Sequence, residues 1–307
     1  MRKITIDDNE KNQRFDRFVG KYLNKAPNSF IQKMIRKKNI ELNGKKSKPD
    51  VILEKGDIIE FYLAENTINK FREEKDYIKS DNKLNLVYED ENLLIINKPV
   101  GITMQPDSSN NVSLLDMMLT YLEFDNNYKS KTFRPAFINR LDKNTSGIVV
   151  GAKNYQSLKK LNKIMRNKNI NKYYKGIVEG HIEDKKFLED YITRENKVSQ
   201  VNSTKGKKII TKLKPLKFND GYTLVEFELV TGRTHQIRAH MDSIGHPLLG
   251  DKKYSGKSMG DDKYYYLHAY KIEFKEIKGD LDYLNDKSFV ASTPERFKDK
   301  TRDIFGD

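Results

Sequence analysis

Phe137-Ile-Asn-Arg-Leu-Asp-Lys-Asn-Thr-Ser-Gly-Ile-Val-Val150 places one arginine and one carboxylate, Arg140 and Asp142, in a polar loop between two short apolar, β-branched runs. Runs rich in Ile, Val and Phe predict strands, and Asn-Thr-Ser-Gly is turn chemistry. The charged pair is therefore expected at a strand end, where a rigid scaffold can aim it. A solvated surface hairpin would read the same way in isolation, so the rest of the chain has to decide between them.

Two further segments follow the same pattern. Leu229-Val-Thr-Gly-Arg-Thr-His-Gln-Ile-Arg-Ala-His-Met-Asp-Ser-Ile-Gly-His-Pro-Leu-Leu-Gly-Asp251 gathers three of the five histidines and two arginines. His235 and His240 are five apart, off the shared helical face that zinc ligands need, so no metal is expected there. Ile237, His240, Met241 and Ile244 have the spacing of an apolar helix face, which makes His240 a core histidine with its polar atoms satisfied. The turns Gly245-His-Pro247 and Leu249-Gly-Asp251 predict structural roles. Lys172-Tyr-Tyr-Lys-Gly-Ile-Val-Glu-Gly180 is a strand whose adjacent tyrosines face opposite ways.

Composition narrows the classes. A chain of 307 residues with 36% hydrophobic content suggests about two domains and enough apolar mass for a core. It carries 58 Lys+Arg against 44 Asp+Glu, a net +14, which favours a polyanionic partner because each neutralised phosphate releases a condensed counterion. No apolar run approaches the roughly 18 residues of a membrane span, and the first residues lack a signal-peptide core. No membrane association and a cytoplasmic location are expected. The absence of cysteine removes disulfides, thiol nucleophiles and iron–sulfur clusters.

The organisation is α+β, a small α+β module followed by a domain built on a mixed, largely antiparallel β-sheet flanked by helices. In residues 1–63, Phe15, Phe18, Val19, Tyr22 and Leu23 mark one helix. Phe30, Ile31, Met34 and Ile35 mark a second, with Ser29 as its cap. Asn43-Gly44 predicts a hairpin turn. Lys33, Arg36, Lys37, Lys38, Lys45 and Lys46 collect in this module as candidate phosphate-binding cations, for RNA, DNA or an anionic membrane alike. Residues 64–83 are highly charged and predict a linker, residues 84–292 the larger domain, and residues 293–307 a charged, frayed tail.

In combination the segments resemble the RluA-type RNA pseudouridine synthases. Asn97-Lys-Pro-Val-Gly101 is similar to that family's first motif and Arg140-Leu-Asp-Lys-Asn-Thr-Ser-Gly147 to its catalytic motif. Gly232-Arg-Thr-His-Gln-Ile-Arg238 through Asp251 is similar to its late motif, in the same order. Residues from about 13 to 63 resemble the small RNA-binding domain first described in ribosomal protein S-four. Two positions depart from the family's usual His, Asn139 before the catalytic motif and Gln105 after the first. They bear on loop packing and RNA contact, not on the groups the reaction requires.

The resemblance implies isomerisation of uridine to pseudouridine without cofactor or metal. Asp142 would act as nucleophile or base at the sugar, with Arg238 holding its charge and orientation. Tyr174 would stack on the uracil and assist removal of the proton from carbon five, with Leu267 behind it and Tyr173 pointing away. Arg140 would fill the space left by the extruded nucleotide. Large-subunit ribosomal RNA is the expected substrate, transfer RNA the runner-up, and a monomer the expected state. A non-catalytic RNA-binding protein of the same fold is the alternative outside enzymology; it would be free to lose Asp142, Tyr174 and Arg238, and this chain has all three. A glycoside-acting enzyme would ask for a second positioned acid, and none stands out.

Overall fold

A computed structural model of the chain describes residues 1–73, 77–124, 132–195, 198–202, 204–258 and 263–306. They fall into two compact units. The first comprises the described residues of 1–79, 119–135 and 154–156, and the second those of 80–118, 136–153 and 157–307.

In the first unit, β1 (Arg2–Thr5), β2 (Ile40–Leu42) and β3 (Ile58–Phe61) form an antiparallel sheet with β3 central. Helices α1 (Phe15–Tyr22) and α2 (Asn28–Arg36) bury their apolar stripes, Phe15, Phe18, Val19 and Tyr22 from one, Ile31, Met34 and Ile35 from the other. Helix α2 begins before Ser29. Pro27, at φ −66° and ψ 148°, is its N-cap, so Ser29 lies inside the first turn and caps nothing; proline's fixed φ sets the entry angle without a side-chain cap. Asn43 and Gly44 both take positive φ, 54° and 68°, as a two-residue type I′ turn requires.

Two expectations from composition are corrected. The stretch 64–83 holds a helix, α3 (Glu65–Phe71), whose Ile68 is fully buried in the first unit's core and whose Phe71 ring lies 4.5 Å from Phe30. Ile68 and Phe71, three residues apart, supply one apolar face despite the charge around them. Residues 74–76 of that stretch lie outside the described residues. The described part of 293–307 is likewise not frayed: α7 (Glu295–Phe305) buries Phe297 and Ile304 against Ile177, Leu249 and Tyr266. Those two apolar positions are two helical turns apart on one face, which a reading of net charge overlooks. Residue 307 is outside the described set. Residues 119–124, 132–135 and 154–156 also group with the first unit, through pairs such as Tyr77 with Phe124 and Phe133 with Tyr155, so the larger domain is not one unbroken segment from residue 84.

The second unit is built on one mixed sheet. Its strands are β4 (Leu86–Glu89), β5 (Leu93–Lys98), β6 (Ala136–Phe137), β7 (Ser146–Ala152), β8 (Ile170–Glu179), β9 (Lys186–Glu195), β10 (Val198–Asn202), β11 (Lys207–Asn219), β12 (Tyr222–Leu229), β13 (Leu267–Phe274) and β14 (Ser288–Val290). They run in the order β10-β9-β11-β12-β8-β13-β7-β5-β4, with β14 on β13 and β6 on β7. Every pair is antiparallel except β13 with β7. Helix α6 (Gln236–Ser243) and most of α4 (Leu114–Tyr121) and α5 (Tyr155–Arg166) belong to this unit, while residues 119–121 and 155–156 of those two helices group with the first. A core of Leu93, Ile95, Ile148, Val150, Leu161, Ile164, Ile272 and Phe274 fixes β5, β7 and β13 under α5.

The parallel pair depends on a glycine. Gly147 has φ 117°, and a Cβ there would collide with the backbone of Ala269, so β13 can approach β7 only with no side chain in between. That contact lies immediately beyond the loop holding Asp142.

Candidate active site

Asp142 sits in the loop between β6 and β7, and several independent ties hold that loop. Asn139 accepts from the Val150 amide through Oδ1 at 2.8 Å and donates to the Ile148 carbonyl through Nδ2 at 3.1 Å, pinning the loop's start to β7. An amide can do both at once, which accounts for Asn at this position. The Gly101 amide donates to the Lys143 carbonyl at 2.9 Å, and the Thr145 amide to the Asp142 carbonyl at 3.1 Å.

Lys98, the last residue of β5, is completely buried. Its Nζ donates to the carbonyls of Pro99 at 2.8 Å and Lys143 at 3.0 Å. Burial brings its ammonium down to about 7, against the opposing pull of Asp142. Lys98 thus ties the first motif to the residue following Asp142.

Arg238 enters from the first turn of α6 and is 7% exposed. Its Nη1 donates to Asp142 Oδ2 at 3.1 Å, while Nε and Nη2 engage both oxygens of Asp251 at 2.6 and 2.8 Å. Helix α6 is buried from Gln236 through Met241, so Arg238 lies inside the protein between two carboxylates. Tyr254 and Tyr265 flank its guanidinium, with ring centroids 4.8 and 4.4 Å from Cζ. The Tyr265 hydroxyl also lies 3.4 Å from Asp142 Oδ2 and 2.9 Å from Thr145 Oγ1. His235 takes a left-handed conformation just before α6, with Nδ1 2.9 Å from the Tyr254 hydroxyl and Nε2 3.6 Å from Asp142 Oδ2. Burial holds its imidazole below the ordinary range, partly offset by Asp142.

Tyr174, on central strand β8, is 7% exposed. It lines a narrow recess of about 60 Å³ together with Asp142, Arg238 and Leu267. Burial, then the charge of Asp142, pushes its phenol well above the usual tyrosine range. Tyr173 faces the other side of the sheet and donates to Glu273 at 2.9 Å. Arg140 is exposed at the rim. The main cavity, about 700 Å³, runs over Arg140, Asp142, Arg238 and Asp251 and is also lined by Gln105.

Of the residues singled out in sequence, Arg140, Asp142, Tyr174, Arg238 and Leu267 come together here. Lys33, Arg36, Lys37, Lys38, Lys45 and Lys46 lie in the first unit, all exposed, and none has an acidic partner within 4.0 Å among the described residues. Asp251 does more than shape its turn, since it is the bidentate partner of Arg238. Lys98, His235, Tyr254 and Tyr265 are site residues that sequence reasoning does not single out: the first two stand inside quoted motifs, while the tyrosines carry no local signal. His240 is only half satisfied, with Nδ1 2.8 Å from Thr211 Oγ1 and Nε2 without a hydrogen bond, 3.6 Å from Asp190.

Residues 92–243 match the model of the RNA pseudouridylate synthase family. A protein of Mycoplasma capricolum described as an uncharacterized RNA pseudouridine synthase is 36% identical over 95% of this chain and 98% of its own length. A Rickettsia conorii protein described as ribosomal large subunit pseudouridine synthase C is 34% identical over 86% of this chain and 89% of its own. The solved structure of human RNA pseudouridylate synthase domain containing 4 superposes with a TM-score of 0.58 at 19% identity, covering 71% of this chain and 92% of that one, a likeness of fold.

Proposed function

The chain belongs to the RNA pseudouridine synthase family, and from that premise we propose that it isomerises uridines of large-subunit ribosomal RNA, with Asp142 as the reacting carboxylate. One observation carries the assignment to this site: Asp142 receives a buried arginine at 3.1 Å in a recess that also holds a buried tyrosine. An anion so held can attack the sugar's anomeric carbon or take a sugar proton, and leave again. The glycosidic bond to nitrogen breaks, the uracil turns, and a bond to its carbon five forms; that carbon gives up its proton and the freed ring nitrogen takes one up, so the product is an isomer. No redox equivalent is needed.

Tyr174 and Leu267 would contact the base. A phenol kept protonated by burial suits stacking and hydrogen-bond donation better than it suits proton removal. Arg140, exposed at the rim, would take the place of the extruded nucleotide, offsetting part of an unstacking cost of a few kcal/mol.

Ribosomal RNA is favoured by the Rickettsia relative's description, and the same activity would place the protein in cytoplasmic ribosome biogenesis. Among the described residues no helix is long and apolar enough to cross a membrane. The N-terminal part of the first unit, whose exposed cations include Lys33, Arg36, Lys37, Lys38, Lys45 and Lys46, would serve as an S-four-like RNA-binding module for the second unit, the catalytic domain.

The test uses purified protein with transcripts labelled with tritium at uracil carbon five. Release from large-subunit RNA well above release from transfer RNA is expected. Release from transfer RNA alone would overturn the substrate, and release from neither would overturn the activity.

A further inference from the structure

A second groove, about 490 Å³, opens beside the main cavity and shares Arg140, Asp142 and His235 with it. Five cations line it, Arg140, Arg166, Lys168, Lys172 and Arg233, against the single carboxylate of Asp142. None of the five has an acidic partner within 4.0 Å among the described residues. Such a concentration of like charge repels itself unless something anionic enters.

Lys172 is the innermost of these. It lies two residues before Tyr174 on β8, and side chains two apart on a strand share a face, so Lys172 sits beside the recess of the proposed base site. It is half-buried, and Gly232 lies over its ammonium; a Cβ there would come within 3.4 Å of Nζ. The missing side chain leaves Nζ open to the groove. Burial, and then Lys168, hold this ammonium below the ordinary lysine range, the mark of a cation without a counter-charge.

We infer that this groove is a phosphate subsite, in which Lys172, aided by Arg166, Lys168 and Arg233, holds the backbone phosphodiester of a nucleotide next to the uridine that enters the Asp142 recess. The inference rests on RNA as the substrate. Its chemical logic is that extruding one nucleotide requires the neighbouring backbone to be held still, and phosphate contacts fix register without reading sequence. A rim of guanidinium and ammonium groups around one half-buried lysine suits a singly charged phosphodiester better than a base edge.

The experiment compares wild type, Lys172→Met and Lys172→Arg. Binding to a short oligouridylate is followed across a potassium chloride series, and kcat and KM are measured by tritium release. The Met variant should bind about tenfold more weakly, the effect typical of removing one charged interaction. Its plot of log affinity against log salt should be shallower by roughly 0.7, the slope carried by one neutralised phosphate on a single strand. The fall in activity should appear in KM, and the Arg variant should recover both affinity and slope. If Lys172→Met does not fold, the exposed pair Arg166→Gln and Arg233→Gln carries the same measurement. Wild-type affinity and slope in these variants would overturn the subsite. Should the wild type release no tritium from any RNA, the isomerase assignment falls, while the oligouridylate slopes still decide the groove.

Discussion

Arg238 and Asp251 form a bidentate pair, Nε to Oδ2 at 2.6 Å and Nη2 to Oδ1 at 2.8 Å, with side chains only 8% and 1% exposed. One edge of the guanidinium, through Nε and Nη2, is thereby fixed, and the remaining Nη1 is held toward Asp142. The planar fork transmits the position of one carboxylate to the other, which a lysine could not do.

Asp251→Asn should therefore impair turnover without touching the substrate. The shape is kept, but one acceptor becomes an amide facing the guanidinium, and Arg238 loses its fixed edge. We expect kcat to fall by about a hundredfold, the cost of a small misplacement at a reacting group, with KM little changed. Breaking a buried pair should also lower stability by up to about 3–5 kcal/mol, read as a lower urea midpoint. Wild-type kcat in a folded variant would show that Asp251 does not position the arginine.

Asp142→Asn tests the chemistry itself. It retains a hydrogen-bond acceptor for Arg238 and nearly the same volume, so the protein should fold and bind RNA. Turnover should disappear because the anion is gone. Tritium release within tenfold of wild type would remove Asp142 from the reaction.

Acid sensitivity should come from two buried histidines that do not line the cavity or the recess. Burial holds His240 and His268 down to about 4 in the folded chain, against roughly 6.5 when unfolded. Between those values the unfolded chain binds more protons. Their neutral forms contribute stability that is fully present above about 6.5 and lost as pH falls toward about 4. Urea midpoints across this window should drop, and His240→Gln should flatten the dependence by roughly one proton. An equally steep curve in that variant would assign the effect to other groups.

Lys37→Gln with Lys38→Gln tests the first unit. Both lysines are exposed and unpaired at the end of α2, where Lys38 takes a left-handed conformation. RNA binding should weaken and its salt slope flatten by roughly one charge each, with the rate at saturating RNA preserved. Filter binding that cannot tell the variant from wild type would make this end of the helix ordinary solvated surface.

What is legible in the sequence is whatever local pattern encodes. The strand read from Lys172 to Gly180 is present as β8, and the turn at Asn43-Gly44 follows from its chemistry. The contact of Arg238 with Asp142 follows from a family resemblance, because no spacing rule joins residues 96 apart. Tyr254 and Tyr265 are invisible for the same reason: a tyrosine stacked on a guanidinium has the same local context as one on the surface. Helices α3 and α7 are obscured because composition averages over charge, whereas a short helix needs only one or two apolar anchors on one face.

The close approach of Gly147 and Ala269 also bears on when the site exists. Ser146 and His268, next to that pair, are joined by a 2.9 Å hydrogen bond across 122 residues. During synthesis the loop holding Asp142 leaves the ribosome long before the strand against which it must rest. A chain stalled short of Ala269 should release no tritium, however completely its first unit has folded. The first unit, which ends its longest segment at Lys79, is made early. The longest segment of the first unit is thus complete well before β13, and the loop holding Asp142 gains its support only once Ala269 has been made.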